Sequence, residues 1–298
     1  MINIISLTDT NTNTNTNTDT GWIMHKLPDQ EIFPEGSVLC ITGKTPGKDF
    51  KSRTLLLVQE FAKGCNGILT TMQQASKSHN PICIRGTGTP GIIRASWSSN
   101  RTFYYIDNGY FNPYQKEWMR VIKNHVHDIR PLIIRPRDRM AQFNFNLKPM
   151  RTRGQRIILA PPSSKSLSLW GLDFDVWLDQ TLKTIKKYTN RPISVRLKRP
   201  RFERTANDTI EDDLANDCHC LVTYNSVAAV DALINGVPVF TLGPNAAGIL
   251  GLSDLSKIET PRIPSMSERL DWLSHLSYSQ FTQTEISNGT AWRILNNQ

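Results

Sequence analysis

The stretch from Cys218 to Leu242, CHCLVTYNSVAAVDALINGVPVFTL, constrains the fold more than any other. His219 to Tyr224 is an apolar run of strand length and strand composition. Asn225 and Ser226 are good helix N-caps, and Val227 to Ile234 carries Ala, Val and Leu on one helical face. Asn235-Gly236 supplies a helix stop, and Val237 to Phe240 begins the next strand. Strand, cap, helix, glycine stop and strand make a βαβ unit, the element from which parallel sheets are built. At its tip, between Tyr224 and Val227, backbone N–H groups and a Ser hydroxyl are expected to point outward from a helix start. That geometry favours an anion, most often a phosphate.

The same residues carry a resemblance. Asn225, Ser226, Ala229, Asp231, Ala232, Gly236 and Pro238 together resemble the donor-binding segment of GT-B glycosyltransferases. The resemblance implies an α/β protein of two Rossmann-like domains facing across a cleft, with a nucleotide sugar held by the second domain. It implies that Ser226 and its neighbours hold the diphosphate and that Asp231, where Glu is commoner, holds the ribose hydroxyls. Length agrees, since 298 residues suit two domains of about 150 each. We expect residues 1–150 to form the acceptor domain and 151–298 the donor domain, the last helix crossing back to the first.

Charge narrows the partners. The net charge is +9 and the pI about 9.4, so the chain is expected to meet something anionic. One basic cluster holds Arg130, Arg135, Arg137, Arg139, Lys148, Arg151, Arg153 and Arg156, on an expected linker from Arg130 to Gly154. A second holds Lys186, Lys187, Arg191, Arg196, Lys198, Arg199, Arg201 and Arg204. No apolar run approaches the roughly 18 residues of a membrane span, so a soluble, cytoplasmic protein is expected. Five cysteines, an odd number at scattered positions, argue against a disulfide framework, and Cys218-His219-Cys220 is too tightly spaced for zinc.

Along the chain, Met1 to Leu7 reads as a strand and Thr8 to Thr20 as a low-complexity loop of Thr with Asn or Asp. Ser37 to Thr42 is a strand. The following Gly43-Lys44-Thr45-Pro46-Gly47-Lys48-Asp49 lacks P-loop spacing and reads as a turn into a helix from Ser52 to Lys63. A strand at Pro81 to Arg85 leads to a turn-rich Gly86 to Gly91. Thr102 to Phe111 is β-rich and interrupted by Asp107-Asn108-Gly109. Asp107 is either a plain Asx turn or a general base that deprotonates an acceptor hydroxyl. Tyr105 and Tyr110 are either core or acceptor-pocket residues. Tyr114 to His127 reads as a helix bringing Arg120 and Lys123 to the acceptor. His125 and His127 lack metal-ligand partners and read as a solvated helix end.

In the second half, Arg156 to Ala160 is a strand that runs into Pro161-Pro162-Ser163-Ser164-Lys165, hydroxyls and an ammonium suited to a phosphate or sugar. Asp173-Phe174-Asp175 opens an amphipathic helix and is not read as a metal motif. Ile193 to Leu197 delivers Arg196 and Lys198 to the diphosphate. Gly243 to Gly248 is a small-residue loop expected near the nucleotide, and Met266 to Leu276 and Gln283 to Leu295 read as terminal helices.

The donor set is thus Ser163, Ser164, Lys165, Arg196, Lys198, Tyr224, Asn225, Ser226 and Asp231, with Asp107 as base and Tyr110, Arg120 and Lys123 for the acceptor. The expected reaction is metal-independent glycosyl transfer from a nucleotide sugar, UDP-sugar first, with no other cofactor. A modified base in double-stranded phage DNA is the leading acceptor. A polysaccharide or lipid-linked glycan is the alternative, because the Ser-x-x-Ala-x-Asp-Ala pattern also resembles capsule-synthesis enzymes. A nucleic-acid-binding protein without catalysis is the reading from another class.

Overall fold

The computed structural model describes residues 33–111, 117–198 and 210–297. The expected first strand and the Thr-rich tract lie outside these residues, as do Arg199, Arg201 and Arg204. Phe33–Gln298 forms one unit containing two sheets.

The first sheet begins with β1 (Leu39–Gly43), α1 (Ser52–Cys65), β2 (Ile68–Thr71), α2 (Met72–Ala75), β3 (Ile82–Arg85), α3 (Pro90–Ser98), β4 (Phe103–Asn108) and β5 (Trp118–Lys123). β1 is buried throughout, as expected of a parallel strand covered on both faces. α1 buries Leu57, Val58, Phe61 and Ala62 and ends where Asn66 takes a left-handed conformation before Gly67. The helix expected from Tyr114 to His127 is instead β5, antiparallel to β4. Its period is two: Met119 and Val121 join the cluster under α1, while Arg120 and Ile122 face the opposite side. The β-branched and aromatic content of WMRVIK favours this outcome.

The second sheet follows as β6 (Arg156–Leu159), α4 (Ser164–Ser168), α5 (Phe174–Tyr188), β7 (Ile193–Val195), α6 (Glu211–Ala215), β8 (Cys218–Thr223), α7 (Ala228–Ile234) and β9 (Val239–Thr241). Its order is β7-β6-β8-β9 and every pair is parallel. Asp173 caps α5 by accepting from the amides of Asp175 and Val176, a structural use of that acidic triplet.

The chain then forms α8 (Met266–Ser277), β10 (Gln280–Thr282), α9 (Gln283–Ser287) and α10 (Thr290–Asn296). β10 adds to the edge of the first sheet beside β5, giving the order β10-β5-β4-β3-β1-β2. The final helices pack with α1 over one face of that sheet, where Ile286 and Leu295 meet Phe61, Tyr104 and Ile106. In the second sheet, Ile158, Leu221 and Val239 pack under α7 and α8, and Ile157, Leu159 and Val222 pack under α5. Tyr110, Phe111 and Ile122 from the first sheet belong to the same apolar cluster as Ile158, Ala160 and Leu221 of the second. The sheets therefore share a core.

Within the expected linker, residues 130–154, Arg139 and Phe143 are buried. Arg139 is 6% exposed, pairs with Glu285 at 2.6 Å and donates to the carbonyls of Ser277 and Gln280. Arg269, also buried, donates to the carbonyls of Lys148, Leu233 and Ile234. These guanidiniums satisfy carbonyls where helices end, which is why they are buried.

The crossing of α1 with α9 requires glycine at position 64, because a Cβ there would lie 2.0 Å from the Ile286 carbonyl oxygen. Gly64→Ala is expected to destabilise the fold by about 1–3 kcal/mol, read as a lower urea midpoint with an unchanged slope.

Candidate functional site

All four strands of the second sheet run in one direction, so their carboxyl ends share an edge. From β6 the chain goes to β7 on one side and then returns to β8 on the other. The crevice between the ends of β6 and β8 is therefore a topological switch point, the usual ligand position in open α/β sheets. Ser163, Ser164, Lys165, Tyr224, Asn225 and Ser226 follow these two strands, and Arg196 and Lys198 follow β7. The parallel register gathers this predicted set on one edge.

The tip itself is closed. Asn225 is 4% exposed; its side-chain oxygen accepts from the Ser166 hydroxyl at 3.1 Å, and its backbone is hydrogen-bonded by the His127 ring. Ser226 accepts from the Ala228 amide, while the amides of Ala229 and Val230 bond to carbonyls of residues 226 and 227. Of the tip's own amides, that of Ser226 bonds to Thr223 Oγ1, and α7 is only seven residues long. Tyr224 packs between Trp170 and Trp177, and its ring fills the space a Cβ at Gly243 would need. Ser163 caps α4, leaving Ser164 and Lys165 exposed at the edge. Arg196 pairs with Asp213 at 2.5 Å.

Asp231 lies on α7 facing α6. Burial, with Glu211 adding repulsion, pushes its carboxyl up to about 7, against the attraction of Arg196. It therefore titrates near neutrality, unlike an ordinary aspartate.

Beside the tip, a cavity of about 500 Å³ opens at the end of β9. One wall is the loop from Leu242 to Ile249; the other is Asp128 to Pro131 with His275 of α8. Asn245 fixes the loop by donating to the Ser226 carbonyl and accepting from the Ala247 amide. The small-residue loop was legible in the sequence, but the facing wall was not. None of the predicted catalytic, donor or acceptor residues lines this cavity.

Asp128 anchors the facing wall. Its carboxylate accepts from Arg130 and from the Ser279 hydroxyl, and His275 Nε2 lies 3.4 Å away. Burial opposes its charge, yet the hydrogen bonds and the Arg130 cation outweigh that and hold the carboxyl well below its ordinary range. The Ile133 amide donates to His275 Nδ1, which places the His275 proton on Nε2, toward Asp128. His127, expected to be solvated, is 4% exposed and stacks on Tyr110; burial and the Arg120 charge lower its pKa well below the usual value.

On the first sheet, Asp107 completes β4 rather than interrupting it. It accepts from Arg120 at 3.0 Å, from the Tyr105 hydroxyl at 2.9 Å and from the Asn108 amide at 2.8 Å. Burial would raise its pKa, but Arg120 and these donors leave it lowered. A carboxylate so stabilised is a weak proton acceptor. Arg120 also lies 5.2 Å from the Tyr110 ring centre, so Asp107, Arg120, Tyr105 and Tyr110 form one cluster. Tyr110 is fully buried, and its hydroxyl accepts from the Asp128 amide. Lys123 is separate, on the other face of β5, bonded to Asn296.

No protein-family profile matches the chain. No curated protein matches it either. Among solved structures it is similar to the β-Kdo 2,7-transferase of KpsC from Thermosulfurimonas dismutans, at 13% identity and a TM-score of 0.46 over 88% of this chain and 99% of that one. It is also similar to the β-Kdo 2,4-transferase of the same KpsC, at 11% identity and a TM-score of 0.47 over 84% and 93%.

Asp231 sets a pH signature. Its folded pKa of about 7 exceeds the unfolded value near 4, so its contribution to stability is complete below about pH 4 and is lost as pH rises to 7. Asp231→Asn is expected to raise Tm at pH 8 and to change it little at pH 4, measured by thermal unfolding in matched buffers.

Proposed function

We propose that the chain is a nucleotide-sugar-dependent glycosyltransferase whose donor lies along the carboxyl edge of the second sheet. The observation that carries this reading is the roughly 500 Å³ cavity beside the switch point, with the exposed Ser164 and Lys165 on the same edge. In this reading the cavity takes the nucleoside end between Pro131, Pro244 and Ile249, apolar walls that suit a base. Ser163, Ser164, Lys165, Ser226 and Lys198 serve the diphosphate, whose charge must be stabilised as it leaves. Asp231, which titrates near 7 and faces α6, does not line the cavity and in this reading takes no ribose contact. The donor's base and sugar are left open, with a UDP-sugar the first to try.

On the acceptor side, Asp107 serves as a hydroxyl-binding group rather than a base, because its lowered pKa disfavours proton uptake. The acceptor we favour is a glycan hydroxyl. DNA was suggested by the arginine clusters, and most of their described arginines are engaged within the protein. Arg130 pairs with Asp128, Arg139 with Glu285, Arg191 with Glu259 and Arg196 with Asp213. Arg151 and Arg156 donate to backbone carbonyls at the end of α6. Guanidiniums held this way are poorly placed to track a phosphate backbone.

Two measurements test the reading. A thermal-shift screen of nucleotide sugars should find one donor that raises Tm, with the shift reduced in Lys165→Ala. Absence of any stabilising donor would end the transferase reading. On immobilised duplex DNA, we expect little retention at 150 mM salt. Tight retention with a steep salt slope would restore DNA as the acceptor.

A further inference from the structure

The first sheet has a switch point of its own. From β1 the chain goes to β2 on one side and then to β3 on the other. Directly after β3 the sequence reads Gly86-Thr87-Gly88-Thr89-Pro90-Gly91, whose last two residues open α3. This is Gly-x-Gly-x-x-Gly between a strand and a helix, inside a βαβ unit that runs from Ile82 to Asn108 with β3 and β4 parallel neighbours. Asp107, at the end of β4, supplies the acidic residue about 20 positions later that such units direct at a ribose diol.

Several features mark the loop as built for a ligand. A Cβ added at Gly86, Gly88 or Gly91 would meet no atom within 4 Å, so the backbone is open to close approach. Gly86 has φ of +72°, a turn that favours glycine. The amides of Thr87, Gly88 and Thr89 donate to no acceptor among the described residues, which leaves three successive N–H groups available to an anion. The first turn of α3, nine residues long, carries no acidic side chain and no side-chain cap.

The surroundings are cationic. Arg85 reaches Thr54 of α1 and Asn108 of β4, bracing the loop between both neighbours. Arg120 is independent of the loop; its side chain is 7% exposed, and beside Asp107 its buried Nε lacks an acceptor. Asp107 Oδ1 accepts only from the Asn108 amide among the described bonds, leaving it capacity for a hydroxyl. One departure from the dinucleotide pattern is that Gly91 packs against nothing, so its usual role in close helix–strand packing is unused.

We propose that this edge of the first sheet binds a phosphate ester carrying a vicinal diol, its phosphate in the Gly86–Gly91 loop and its diol at Asp107. A nucleotide and a sugar phosphate share that chemistry. The site is separate from the donor edge of the second sheet but shares Asp107 with the acceptor side proposed above, so a bound ester would occupy that acceptor position.

The test is calorimetry on the full chain with ADP, 2′-deoxy-ADP, ribose 5-phosphate and inorganic phosphate. The key variant is Gly88→Asp, which sets a carboxylate in open space at an exposed position of ordinary φ, with Gly88→Ala as the folding control. We expect ADP or ribose 5-phosphate to bind, about tenfold or more weaker in Gly88→Asp through charge repulsion, and unchanged in Lys165→Ala. If ribose 5-phosphate binds and ADP does not, the source is a sugar phosphate; the converse identifies a nucleotide. Loss of the 2′-hydroxyl in 2′-deoxy-ADP, or Asp107→Asn, should weaken binding of the diol ligand. Binding that survives Gly88→Asp and falls in Lys165→Ala would overturn the site and leave the donor reading standing. Inorganic phosphate binding as tightly as every ester, or no binding by any probe, would also overturn it.

Discussion

The carboxylate of Asp128 is the point on which the two halves of the molecule converge. It sits just after the first sheet's β5, yet its partners are Arg130, the Ser279 hydroxyl before β10, and His275 at the end of α8. Its backbone amide reaches the Tyr110 hydroxyl beyond β4. A charge with no exposure to water is tolerable only when so many donors converge on it, and removal of any one leaves a buried charge undercompensated. The network fixes where the chain leaves the first sheet and where it returns. In doing so it positions one wall of the cavity at the end of β9.

Arginine does comparable work elsewhere. Arg139 gathers Glu285 and two carbonyls, Arg269 three carbonyls and Arg156 two. A planar fork with five donors meets several carbonyls at once, which an ammonium on a flexible stem does less well. The high positive charge of this chain is therefore partly structural. It reflects helix ends and loop carbonyls satisfied from within, and it weakens the inference from basic composition to a polyanionic partner.

The chemistry is divided between two sheet edges. The second sheet has hydroxyls and an ammonium at its switch point with a cavity beside it, and its tip is held shut by Ser166 and His127. The first sheet has an open glycine loop next to an ionised carboxylate. Trp97 stacks on Trp170 at 4.9 Å, and Arg94 donates to the Ser168 carbonyl, so α3, which follows the glycine loop, contacts the turn after α4. One helix thus links the loop of the first sheet to the carboxyl edge of the second.

Much of this architecture was legible in the chain. Buried strands such as LCIT and CHCLVT announce themselves by continuous apolar content, and the Asn235-Gly236 stop and the Asp173 cap are local chemistry that needs no tertiary partner. Gathering Ser163, Arg196 and Ser226 on one edge followed from the parallel order alone. What depended on distance in sequence was hidden. Residues 118–123 became a strand because β4 and β10 flank them, an outcome their β-branched and aromatic content supports. Asp107 became a stabilised carboxylate because Arg120 faces it across the sheet, and His127 became a buried, weakly basic ring because Asn225 and Tyr110 enclose it. The sequence by itself determined the repeating strand–helix units and their punctuation, since those rest on neighbouring residues. Only the tertiary structure decided which charges are spent internally and which groups remain open to a ligand, because burial and pairing are set by residues far apart along the chain.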